Sequence, residues 1–216
     1  MPPRENHQLT RTLAQFIVGP HVLPHAAEEF LRSVGARLPG RNGPGHAGWD
    51  MLTRVCVTPL VGLAVETGLS ATATRTAMAV GAETAVRLHN ALTDHLKERG
   101  WDTYAGPALF GIAAGAARIL GLSAAEAQRC LSIAATQVGG LTAAQPAWAE
   151  FQHEHAARSG IHAARLAAAG MTAPSDGLEG RRGLFAVMAP ATRHEVILTG
   201  LGSRWNFAEQ RGKYEC

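Results

Sequence analysis

A chain of 216 residues with 46% hydrophobic and 17% charged residues is long enough for one sizeable core and too apolar for a disordered segment. Its 20 Lys and Arg are scattered among 17 Asp and Glu, giving a formal net charge of +3. No basic stripe with interleaved aromatics forms, so nucleic acid is excluded as an expected partner.

The opening MPPRENHQ is polar and lacks the apolar stretch of a signal peptide. The longest apolar run, residues 55–65, is broken by Thr58 and Pro59 and is too short to span a bilayer. Cys56, Cys130 and Cys216 are dispersed and form no Cys-x-x-Cys pair, which argues against a disulfide framework or a zinc ribbon. The expectation is a cytoplasmic chain without membrane contact, with Cys56 and Cys130 as inert core thiols.

Residues 10–18 read as a short amphipathic helix with Leu13, Phe16 and Ile17 on one side. Pro24 then suits the first turn of a helix in which Glu28 and Glu29 come early and Arg32 and Arg37 late, an order that complements the helix dipole. The Pro/Gly-rich residues 38–48 form the clearest break in the chain. Residues 55–68 return to apolar, helical character despite Pro59. In residues 71–98, Gly81, Ala85, Leu88 and Leu92 recur on one helical face.

After a loop over residues 100–108, Phe110, Ala113, Ala114, Ala117 and Leu120 mark a further buried face, with Gly111 and Gly115 allowing close backbone approach. Ser123 with Glu126 forms a capping box that starts the next helix. Leu131, Ala134, Ala135 and Val138 give that helix its stripe, and Gly139-Gly140 ends it. A helix over residues 148–169 directs Ala157, Ile161, Ala164 and Ala168 inward. A short helix occupies residues 183–189. Period-2 alternation never lasts, so the fold class is all-α, a single domain of packed Ala/Gly-rich helices over residues 1–216.

The order of these features resembles the MmgE/PrpD family, which includes 2-methylcitrate dehydratase and cis-aconitate decarboxylase. The resemblance is carried by Arg99-Gly100-Trp101, by residues 110–122, and by LSIAATQVGGL at 131–141. Further matches are Ala156-Ala157-Arg158-Ser159-Gly160, MTAPSD at 171–176, and Leu201-Gly202 with Trp205 and Gly212-Lys213-Tyr214-Glu215-Cys216. It implies the family's large helical domain. The family's smaller α+β domain, which follows the last of these passages, is expected to be absent. The polar active-site segment of the family corresponds to the shortened residues 40–58, where His46, Asp50 and Thr53 are candidates.

The resemblance also implies a lyase or isomerase acting on a small, carboxylated substrate without metal or cofactor. Such chemistry needs a base beside a carboxylate and cations to hold substrate carboxylates. The family's histidine after Gly-Trp is Asp102 here, and no lysine stands near Ala149 or Glu150. Lys213 matches the later family lysine.

The candidate catalytic residues are Asp102, His153, His155 and Lys213; the candidate substrate-binding residues are His46, Asp50, Tyr104 and Trp148. Asp102 either accepts a proton or caps the following helix. Lys213 binds a carboxylate or is a solvated terminal lysine. His153 and His155, two apart on a helix, point to different sides and do not form a His-Glu-x-x-His metal pair; one of them lines the cleft. His89, His95 and His162 read as satisfied or half-exposed residues of packed helices.

Three functions fit this pattern. One is a family lyase or isomerase. A second is a non-catalytic helical module for oligomerisation or partner binding. The third is a biosynthetic enzyme with its cleft rebuilt around Asp102, Tyr104 and Trp148. A helical surface that supports a second domain in the family should stay apolar, so a homodimer or pairing with a complementary subunit is expected.

Overall fold

The computed structural model describes residues 8–36, 48–144, 147–190, 192 and 194–209. Among them lie α1 (Leu9–Val18), α2 (His25–Ala36), α3 (Gly48–Glu66), α4 (Ala71–Glu98), α5 (Ala105–Ile119), α6 (Ala124–Ala135), α7 (Ala149–Ala168), α8 (Leu184–Met188), α9 (His194–Leu198) and α10 (Asn206–Glu209). No β-strand occurs among the described residues. One isolated antiparallel bridge joins Trp101 to Leu141. The fold is all-α.

α5 is the axis of the packing. Its sequence, AGPALFGIAAGAARI, has almost no polar side chain, and 14 of its residues are buried, as expected for a helix surrounded by others. It packs against α3, α4, α6 and α7, and more lightly against α1. The crossing with α4 is close because both helices present glycine there. A Cβ on Gly111 would stand 2.6 Å from the Gly81 carbonyl oxygen and 2.7 Å from Ala85 Cβ.

α4 starts at Ser70, whose side chain accepts from the Ala73 N–H at 3.3 Å. α6 starts at the expected capping box: Ser123 Oγ accepts from Glu126 N–H at 3.4 Å, and Glu126 Oε2 accepts from Ser123 N–H at 2.8 Å. Cys56 and Cys130 are buried and free. Burial pushes both thiols up, Cys130 to about 12, so neither is a thiolate near neutral pH.

Several boundaries differ from the sequence reading. α3 begins at Gly48, inside the stretch read as a shortened active-site segment, and Leu52, Cys56 and Val57 are fully buried along it. Pro59 is accommodated within the helix. α5 begins at Ala105, not after residue 108, because a carboxylate starts it (below) and Pro107 falls in its first turn, where a missing N–H is tolerated.

The inward face of α7 is Ala156, Gly160, Ala163, Ala164 and Ala167; Ala157 and Ile161 are only partly covered and Ala168 is exposed. Alanines occupy both faces of this helix, so periodicity alone could not choose. The choice follows Gly160, where an added Cβ would meet the Leu109 carbonyl oxygen at 2.7 Å.

The sequence reading also missed what holds residues 194–209. Arg87, on α4, has a fully buried side chain. Its Nε donates to Glu83 Oε1 at 2.6 Å. Its Nη1 donates to the carbonyls of Ile197 and Thr199 at 2.7 and 2.8 Å, and its Nη2 to that of Arg204 at 2.9 Å. Glu83 Oε2 accepts from Phe207 N–H at 3.1 Å. One buried ion pair thus satisfies backbone groups of two very short helices and the turn between them, which have too few internal bonds to persist alone. Burial pushes the Glu83 carboxyl up against the pull of Arg87 and of the Asn206 and Phe207 N–H groups.

Candidate functional site

The site is assembled where the loop between α4 and α5 meets the turn after α6. The Gly100 carbonyl accepts from Thr142 N–H at 3.0 Å, and the Gly140 carbonyl accepts from Asp102 N–H at 3.0 Å. Gly140 has φ +106°, a conformation suited to glycine. A Cβ there would meet Asp102 Cβ at 3.0 Å and Gln152 Oε1 at 3.2 Å. The Gly-Gly turn therefore lies directly against the Asp102 backbone and the start of α7.

Asp102 is 5% exposed. Its Oδ1 accepts from the N–H groups of Tyr104 and Ala105 at 2.8 and 2.6 Å. These bonds start α5 and set a negative charge at its positive end. The capping role is the one the geometry records. The same carboxylate also acts electrostatically on two histidines, His89 and His153.

His89 reaches the site from α4. Its Nδ1 stands 2.9 Å from the Thr103 carbonyl, which requires the proton on that nitrogen, and its ring stacks on Tyr104 with centroids 5.2 Å apart. Burial pushes its pKa down, while the Thr103 bond and Asp102 pull it up. His153 sits on α7. Burial lowers its pKa also, opposed by Asp102 and Glu150. Its Nε2 is shut off from solvent and makes no hydrogen bond among the described residues. A buried polar nitrogen without a partner is uncommon, and it singles out His153 as a candidate functional group.

Beside this cluster is a cleft of about 380 Å³. Its floor is Ala105, Leu109 and Ala156, and its polar wall is Gln137, Gln152 and His155, with Gly139 and Gly140 between them. Leu141, Trp148 and Phe151 form a rim and are 52%, 58% and 59% exposed. Trp148 and Phe151 meet edge to face at 5.7 Å. Gln152 Nε2 donates to the Leu141 carbonyl at 3.1 Å, which ties the rim to α7. His155 Nε2 is 3.5 Å from Ser159 Oγ.

Five of the eight candidates thus come together: Asp102, Tyr104 and His153 in the cluster, His155 and Trp148 on the cleft. His153 and His155 do take different sides of α7, and it is His155 that lines the cleft. His46 and Lys213 lie outside the described residues. Asp50 falls in the first turn of α3, and its side chain lies outside them.

Sequence reasoning missed His89 as a member of the cluster, since a histidine on a buried stripe carries no sign of its loop partner. It also missed Leu141, Phe151 and Gln152. The Gly139-Gly140 turn was the available signal for this wall, because a helix stop made of two glycines also permits close approach. Among the described residues, no three His, Cys, Asp or Glu side chains converge as a metal-binding group. None of the described helices is long and apolar enough to cross a membrane.

Residues 52–196 match the family model of the MmgE/PrpD N-terminal domain. The chain is 35% identical over 149 residues to the cis-aconitate decarboxylase-like protein oryM of Aspergillus oryzae, an alignment covering 63% of this chain and 30% of that protein. It is 34% identical over 151 residues to the cis-aconitate decarboxylase of Aspergillus terreus, again covering 63% of this chain and 30% of the relative. The match therefore spans less than a third of the length of these relatives.

Proposed function

The chain belongs to the MmgE/PrpD family, and from that premise we propose that its cleft is the site of a lyase or isomerase acting on a small carboxylated substrate. The observation that carries this reading is the buried Nε2 of His153, which has no hydrogen-bond partner among the described residues and follows the cleft-lining Gln152 on α7. Burial holds that imidazole neutral near pH 7, the form that accepts a proton. Asp102 then stabilises the imidazolium that results, acting at a distance. His155, on the cleft wall, is the group assigned to the substrate carboxylate or to the departing proton. Lys213, through its match to the family lysine, and His46 and Asp50, through the resemblance of their segment, are proposed as further polar contacts of the substrate. Sequence similarity to a cis-aconitate decarboxylase and to a cis-aconitate decarboxylase-like protein supports a lyase within the family's range.

The test is a titration with unsaturated mono-, di- and tricarboxylic acids, following thermal unfolding together with the absorbance of the conjugated acid. Stabilisation with a change in absorbance supports the reading; neither effect with any acid rejects it.

A second reading has its own observation. Three large apolar side chains, Leu141, Trp148 and Phe151, stand exposed around the cleft, and such a rim also suits a helical module that docks a second copy or a complementary subunit. Light scattering tests this: a dimer that Phe151→Ala dissociates supports it, and a monomer at all concentrations rejects it.

A further inference from the structure

The cleft lining has a composition that bears on its ligand. Its floor and rim are Leu109, Ala156, Leu141, Trp148 and Phe151, and its amides come from Gln137 and Gln152. Among the described lining residues, His155 is the one side chain that can carry positive charge, and none is Lys or Arg. A carboxylate taken out of water needs a cation or several hydrogen bonds. A compact tricarboxylate seated here would set further charges against Leu109, Trp148 and Phe151. An acid with one carboxylate and an apolar chain meets the same surface with its charge at His155 and its chain over the aromatic rim. The volume of about 380 Å³ is within the range of pockets that enclose small organic ligands.

We propose that the ligand of this cleft is a carboxylic acid bearing an apolar chain, its carboxylate at His155 and its chain against Leu109, Trp148 and Phe151. This deepens the lyase reading and rests on the cleft being the substrate site. The amides of Gln137 and Gln152 supply the remaining polar contacts. Gln152 already donates to the Leu141 carbonyl, so a bound chain also packs on a rim whose backbone is fixed.

The test is calorimetric titration of the full chain with butanoate, hexanoate and octanoate, with octanamide as the uncharged control and citrate and cis-aconitate as tricarboxylates. Affinity should rise about fourfold per added methylene, roughly 250-fold from butanoate to octanoate, at one site per chain. Phe151→Ala should weaken octanoate several-fold and leave butanoate nearly unchanged. His155→Gln should abolish the preference for octanoate over octanamide. Phe151 and His155 are both exposed, and an unchanged far-ultraviolet dichroism spectrum verifies that each variant folds. A flat chain-length series, or tighter binding of citrate or cis-aconitate than of octanoate, overturns the proposal. So does an octanoate affinity untouched by Phe151→Ala. The lyase reading fails separately, when octanoate binds as described but 2-octenoate and the other unsaturated acids are never turned over.

Discussion

Arg87→Met removes the cation of the buried pair while keeping most of the side-chain stem. Three consequences follow from the contacts of Arg87. Glu83 is left as a buried carboxylate without its guanidinium, and breaking such a pair costs about 3–5 kcal/mol. The carbonyls of Ile197, Thr199 and Arg204 lose their donor. The last two bonds are only part-buried, so water replaces some of what is lost and the total is about 4–6 kcal/mol. That is a large share of the roughly 5–15 kcal/mol that holds a domain together, and for a chain of this size it lowers the unfolding midpoint by roughly 10–20 °C.

Urea unfolding measures the free energy, and hydrogen exchange locates it: amides of residues 194–209 should lose protection first and most. Adding Glu83→Leu should recover part of the loss by removing the orphaned charge. Arg158→Met, which breaks an ion pair whose side chains are 78% and 59% exposed, should change little. A loss below about 1 kcal/mol for Arg87→Met, or unaltered protection of residues 194–209, would refute the claim that this pair secures the segment.

Gly111→Ala should destabilise by about 1–3 kcal/mol, because the new methyl meets the Gly81 backbone oxygen, which has no rotamer to move. Gly62→Ala, on α3 with nothing within 4 Å of its added Cβ, should instead stabilise by about 0.5–1 kcal/mol; chemical denaturation of both tests the packing account. Asp102→Ala should cost about 0.5–2 kcal/mol through the lost start of α5, with Asp102→Asn keeping most of that stability. Equal losses in the two variants would count against the capping role. The folded-state pKa of His153 lies below its ordinary value of 6.5, so the unfolded chain binds the proton more readily. Its contribution to stability is present above about pH 6.5 and is lost as pH falls toward the lowered value. His21 and His89 are lowered too and act in the same direction. The raised carboxyl of Glu83 acts oppositely: its contribution is full below its ordinary value and is lost as pH rises through the raised one. Comparing wild type with His153→Gln isolates the His153 part, and the variant should show the shallower loss between pH 7.5 and pH 5.5.

The scaffold was legible because its signals are local. The capping box Ser123/Glu126, the stop at Gly139-Gly140 and the long stripe of α4 each depend on residues a few positions apart. What escaped depends on contacts across the chain. α9 and α10 exist because Arg87 and Glu83, more than a hundred residues upstream, satisfy their backbone groups. The face of α7 is chosen by one glycine among many alanines. Half of the candidate site was legible for the same reason. Asp102 as a cap and the divergence of His153 from His155 follow from helical geometry alone. The meeting of Asp102 with His89 and His153 does not, since α4, α5 and α7 bring them together only in the folded chain.

The central claim is that a neutral His153 beside the cleft moves a proton next to a substrate carboxylate. Proton NMR of unsaturated carboxylic acids incubated with the chain in D2O tests it most directly. The account predicts deuterium entering one of these acids, or its product, at the carbon adjacent to the carboxylate, at a rate that falls on acidification as His153 becomes protonated and that His153→Gln abolishes. Deuterium incorporation that persists unchanged in His153→Gln, or none with any acid in the folded wild-type chain, would contradict it.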